Sequence, residues 1–141
     1  MKSKIFYKFF KLSILIAFLV LMFYLMSQDG NNSYATASLI TDRLTDLFGA
    51  KNSLIIIILT RKIAHVSEYL ILSLLFYWNF KDKYLLYIFF PILLAIYDEF
   101  QQRFLPGRVG QFSDVLIDML GILLAFVILK IYKEFYYVRK N

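Results

Sequence analysis

The chain has 141 residues, room for one domain, and its composition is 60% hydrophobic and only 18% charged, with a mean hydropathy of +0.64; that is too apolar for a soluble domain of this size to cover with polar surface. It contains no cysteine, which excludes a disulfide framework and thiolate metal ligation. The net charge of +6 does not point to nucleic acid, because the basic residues cluster beside apolar runs instead of forming one polar face, and anionic membrane lipids are the expected partner.

In chain order, residues 5–26 read as a first transmembrane helix: the fifteen residues from Leu12 carry no charge and are preceded by Lys2, Lys4, Lys8 and Lys11. A secretory signal shares that pattern, but Met26, Ser27, Gln28 and Asp29 offer no pair of small residues for a peptidase, so the segment is expected to be retained. Asp29 to Ser33 is a turn signal. From Ser38 to Phe48, the residues Leu39, Ile40, Leu44, Leu47 and Phe48 fall mostly on one helical face, away from Asp42, Thr45 and Asp46, and Gly49 suits the helix C-terminus. This predicts a short amphipathic helix lying in the membrane interface, with a lid over a site as the alternative.

Residues 54–80 form the second predicted span. Its 27 residues would extend about 40 Å against a hydrocarbon core of about 30 Å, so its first turns must project or tilt. Lys81, Asp82 and Lys83 make a short loop before a third span over 84–100, in which Pro91 predicts a kink. The prolyl and glycyl run from Phe104 to Gly110 must be a loop. A fourth span follows over 114–132, with Ser113 or Asp114 as its N-cap and with Gly121 and Ala125 spaced for close approach to a neighbouring helix. The predicted fold is all-α, a bundle of four transmembrane helices with one interfacial helix.

Two polar stretches interrupt this apolar chain. One holds Arg61, Lys62, His65, Glu68 and Tyr69; the other runs from Asp98, Glu99, Gln102 and Arg103 through Arg108 to Asp114 and Asp118. An ionisable residue near the bilayer centre costs about 2.5–3.5 kcal/mol even on a lenient scale, so a functional site is the default explanation. With four spans, both termini and the Lys81–Lys83 loop share one side, where ten lysines and arginines face only Asp82 and Glu134; the other side holds six basic and eight acidic residues. The positive-inside rule then puts both termini in the cytoplasm and all the polar groups in the extracytoplasmic half.

Arg61, His65 and Glu68 share one helix face at i, i+4 and i+7, while Asp98 with Gln102 and Asp114 with Asp118 are i, i+4 pairs. The charges nearly balance: Arg61, Lys62, Arg103 and Arg108 against Glu68, Asp98, Glu99, Asp114 and Asp118. Asp114 and Asp118 lie near a helix N-terminus, which favours them; Asp98 and Glu99 lie at a C-terminus and need a cation, to be supplied by Arg61, Arg108, a protonated His65 or a metal ion. His65, the chain's single histidine, suits a general base oriented by Glu68, Asp98 or Asp114. Metal ligation by His65 and carboxylates is an alternative without a recognisable ligand spacing, and no nucleophile elbow, P-loop, dinucleotide or other cofactor fingerprint is present. A purely structural ion-pair network is the competing reading, although buried pairs stabilise poorly compared with apolar packing. The tyrosines and phenylalanines near span ends fit an aromatic belt.

In order and spacing, Arg61, Lys62, Ala64, His65, Glu68 and Tyr69, then Asp98, Glu99 and Gln102, then Pro106, Gly107 and Arg108, then Asp114, Asp118 and Gly121 resemble the motifs of the VanZ-like family of small membrane proteins. Ser27 and Gln28, with Ser33 and Ser38 beyond, resemble that family's polar stretch after its first span. The family is named for a glycopeptide (teicoplanin) resistance determinant, so the resemblance implies a multi-pass protein of the bacterial cell membrane linked to antibiotic resistance.

Two function classes follow. In the first, the protein acts on or binds an anionic lipid-linked or cell-envelope ligand, such as a cell-wall precursor; Arg61 and Arg108 hold phosphate or carboxylate with Glu99, Gln102, Asp114 and Asp118 around it, and His65, Glu68 and Asp98 transfer protons. In the second, the same charges line a substrate or proton path in a non-enzymatic transporter or binding protein.

Overall fold

The structure, a computed structural model, describes residues 2–48 and 53–140. They form five helices, and no strand occurs among the described residues: α1 (Lys2–Met26), α2 (Gly30–Phe48), α3 (Ser53–Phe80), α4 (Tyr84–Gln102) and α5 (Phe112–Lys140). The all-α expectation holds. Two helices, α1 over Ser3–Met26 and α5 over Phe112–Tyr136, are long and apolar enough to cross a membrane. Within α3 and α4 the apolar sequence is diluted by Arg61, Lys62, His65, Glu68, Asp98 and Glu99.

Element boundaries differ from expectation where a polar side chain bonds to backbone groups of a longer helix. Asp29 does not begin a turn but caps α2: its Oδ1 accepts from the Asn32 backbone N–H at 2.8 Å, and its carbonyl accepts from that of Ser33 at 2.9 Å. The helix therefore starts at Gly30, well before Ser38. Its inward residues are Ser33, Ala37 and Thr41, small side chains at i, i+4 and i+8 that let α2 lie close on α3, whereas Leu39 is 71% exposed. Burial of the other expected apolar positions, Ile40, Leu44, Leu47 and Phe48, and the whole of Gly49 lie outside the described residues. At the start of α5 neither Ser113 nor Asp114 is the cap; the helix begins at Phe112, Asp114 sits in its first turn and its backbone N–H bonds to the Gln111 carbonyl. α4 continues unbroken through the buried Pro91 to Gln102, and α5 runs past residue 132 to Lys140.

α3 is the central helix, touching each of the other four. The Lys11 Nζ donates to the Trp78 carbonyl at 2.9 Å and lies over the Tyr7 and Trp78 rings, so the start of α1 meets the end of α3. Lys133 lies over the Tyr77 ring, which brings the end of α5 to the same place. The bundle thus has one end holding the Lys81–Lys83 turn and the outer parts of α1 and α5, and an opposite end holding α2 and the α4–α5 loop. Leu15, Met22, Met26, Tyr69, Leu72, Phe76 and Leu94 fill the interior. Outside, Phe6, Phe9, Val20, Ile63, Leu93, Leu123 and Phe135 all stand exposed, large apolar side chains on α1, α3, α4 and α5.

α3 and α5 pack closely along their length. A Cβ added at Gly121 would collide with the Val66 carbonyl oxygen, and Ala125, one turn on, is fully buried. The expected small-residue step is the seam that draws these two helices together.

Candidate functional site

Along that seam His65 of α3 meets Asp118 of α5, with Nδ1 to Oδ1 at 3.1 Å, and Asp98 of α4, with Nδ1 to Oδ2 at 4.0 Å. Asp98 and Asp118 are 2% and 0% exposed. Three helices each supply one side chain, so the cluster exists only when all three are packed.

The neighbouring carboxylate, Glu99, is also buried, yet among the described residues no arginine makes an ion pair with it or with Asp98. Gln102, a turn further on, donates its Nε2 to Asp98 Oδ1 at 3.0 Å and to Glu99 Oε1 at 3.2 Å. The Gln111 backbone N–H donates to Glu99 Oε2 at 2.8 Å. An amide and a main-chain donor therefore do what Arg61 and Arg108 were expected to do. The reason is the path of the α4–α5 loop, which folds back along the end of α4 and aims Gln111 at Glu99.

Arg108 turns the other way. Its guanidinium donates to Ser33 Oγ of α2 at 2.6 Å, and its buried Nε has no partner. Burial, and then the Arg61 guanidinium nearby, pull Arg108 below the ordinary arginine range. Two glycines set this position: Gly107 has φ 71°, a left-handed conformation, and Gly30 lies so close that a Cβ on it would strike the Gly107 carbonyl oxygen. The Gly30 N–H donates to the Pro106 carbonyl at 2.9 Å, tying the start of α2 to the loop.

Between these groups are two connected openings that share Arg61, His65 and Arg108 in their walls. The first is closed on one side by Ser33, Thr36 and Ala37 of α2 and also contains Glu68 and Asp98. The second, of about 390 Å³, is bounded by Lys62, Gln102, Gln111 and Asp114. α2 therefore forms a wall of the site, the alternative reading of that helix. Among the described residues, neither Arg61 nor Glu68 has a hydrogen-bond or ion-pair partner. Asp114 pairs with Lys62 at 3.3 Å on the half-exposed rim and does not orient His65. Nor does Glu68; Asp118 takes that part.

The structure thus brings His65, Glu68, Asp98, Arg61 and Arg108 to one pocket, places Glu99, Gln102 and Asp118 directly behind it and leaves Asp114 at the rim. Arg103 is exposed and takes no part in the charge balance. Ser33 and Gln111 were not foreseen as contacts. Ser33 was visible as a serine in the polar run after the first span, but the Gln111 main-chain N–H has no sequence signal. Chemically, the arrangement offers two guanidiniums toward an anion and an imidazole held between carboxylates beside it.

A profile described as VanZ/LLP1 matches residues 9–133. No curated protein and no solved structure matches the chain.

Proposed function

The chain belongs to the VanZ/LLP1 family, and from that premise we propose that it is a four-span bacterial membrane protein whose pocket binds an anionic, membrane-borne ligand. The observation that carries the reading is the pair of guanidiniums, Arg61 and Arg108, facing one opening with no carboxylate paired to either. Asp98 and Glu99 would be the natural partners, and they accept instead from the Gln102 amide and the Gln111 N–H. A phosphate or carboxylate entering the pocket would complete both arginines, which is the bidentate chemistry a guanidinium offers.

The membrane reading rests on α1 and α5, on the apolar outer surface, and on the disposition of charge. α3 and α4 make up the remaining two spans, with their polar residues turned inward as an intramembrane site requires. With the basic end of the bundle cytoplasmic, the pocket opens to the outer leaflet, where lipid-linked cell-envelope precursors are displayed. α2 then lies at the interface with Leu39 outward and covers the pocket with its small-residue face. A change in the handling of such a precursor is how the protein would alter sensitivity to glycopeptides such as teicoplanin.

Binding of a polyprenyl phosphate and of the matching uncharged prenol to the purified protein in neutral detergent tests the reading. The phosphate should bind at least about tenfold more tightly, a difference worth about 1.4 kcal/mol, and Arg61→Gln or Arg108→Gln should remove that preference. Equal binding of the two lipids by the wild type would end the anion reading. Incubation with a radiolabelled lipid-linked precursor then separates the classes of function, because only an enzyme yields a new covalent product.

A further inference from the structure

We propose that His65, Asp98 and Asp118 form a divalent metal site between α3, α4 and α5, beside the arginine pocket. The inference adds a metal centre to the anion reading and is tested with metal alone, so the two stand or fall separately.

Geometry comes first. One ligand atom from each residue lies within 4.8 Å of the others. In a tetrahedral site with bonds of about 2.1 Å, neighbouring ligand atoms are about 3.4 Å apart. The His65 Nδ1 separations, 3.1 Å to Asp118 and 4.0 Å to Asp98, bracket that value, so a small rotation of Asp98 closes the set. Three protein ligands with the remaining position turned toward an open pocket is the pattern of metal sites that engage a ligand.

An orphaned atom comes second. Asp118 is completely buried, its Oδ1 is spoken for by His65, and its Oδ2 has no hydrogen-bond partner. A protonated imidazole accounts for Oδ1 only. A cation held by both Asp118 oxygens accounts for the carboxylate as a whole. Charge gives a third reason: Asp98 and Asp118 are both buried, and among the described residues the one cationic group within ion-pair distance of either is His65. One imidazolium thus faces two buried carboxylates at contact distance, and buried carboxylates require compensation. The donors, one imidazole nitrogen and carboxylate oxygens, suit Zn²⁺ or Mn²⁺.

The test uses purified full-length protein, stripped with chelator and titrated with Zn²⁺ or Mn²⁺, with bound metal counted by mass spectrometry. About one ion per chain is expected. Asp118→Asn and Asp98→Asn should weaken it more than about tenfold, since even outer-shell changes cost about 10–100-fold; Lys130→Gln, on the exposed surface, should not. A second readout needs no variant. His65 is the only histidine, so the hydroxylamine-reversible ultraviolet absorbance of carbethoxyimidazole formed with diethylpyrocarbonate reports on it alone. A metal on Nδ1 leaves the proton on Nε2 and no free lone pair, and saturating metal should slow the reaction more than about tenfold. Absence of stoichiometric binding by the wild type, an Asp118→Asn protein that binds as tightly, or carbethoxylation unaffected by metal would each overturn the site.

Discussion

Asp98 and Glu99 are adjacent carboxylates at the C-terminal end of α4, where the helix dipole opposes negative charge. Their stability must come from donors, and those are the Gln102 side chain and the Gln111 N–H, with His65 at the far side of Asp98. Gln102→Leu strips a donor from both buried acids at once and so removes two hydrogen bonds to charged groups, at about 1.5–3 kcal/mol each. Arg108→Ala removes one hydrogen bond from a charged donor, about 1.5–3 kcal/mol. Thermal unfolding in detergent should therefore rank Gln102→Leu below Arg108→Ala, while ligand binding ranks them the other way. Glu68→Gln, at a side chain with no partner, should melt like the wild type and change only ligand binding or turnover. Which residues were polar against an apolar background was legible in the sequence. Which donor serves which acid was not, because the assignment depends on a loop path that brings Gln111 back over Glu99.

Helix spacing explains the difference at the next scale. The α3–α5 approach could be read from Gly121 and Ala125, since small residues four apart on an apolar helix have one common use. The extent of α2 could not, because an aspartate followed by Gly30 and two asparagines signals a turn and an N-cap alike, and only the bond from Asn32 to Asp29 distinguishes them. Nor could the packing of Ser33, Ala37 and Thr41, small side chains that carry no apolar signal of their own. The seam makes its own prediction. At Gly121 a methyl group meets the backbone of Val66 and Leu70, which cannot rotate away, so Gly121→Ala must push α5 off α3. The cost should be about 1–3 kcal/mol. Because His65 adjoins Val66 and Asp118 lies one turn before Gly121, the same variant should also lengthen the His65–Asp118 contact and weaken ligand binding. Leu123→Ala, on the exposed outer surface of the same helix, should leave ligand binding unchanged.

For the whole molecule, the bundle has a basic end and a site end, and the proposal depends on which faces the cytoplasm. The Lys81–Lys83 turn and the start of α1 mark the first; Asn32 of α2 and Val109 of the α4–α5 loop, both exposed, mark the second. The chain has no cysteine, so an introduced thiol is the only one present. With a membrane-impermeant maleimide added to intact cells, cysteines at Asn32 and Val109 should label at once, whereas a cysteine at Asp82 should label only after lysis. This outcome follows if ten lysines and arginines hold their end of the bundle inside against the two acids there. The reverse pattern would turn the arginine pocket toward the cytoplasm and exclude a ligand displayed on the outer leaflet. Labelling of all three positions in intact cells would mean that fewer than four helices cross, with α3 and α4 packed beside the membrane instead of through it. In that case the exposed Leu93 and Phe89 of α4 would need another cover.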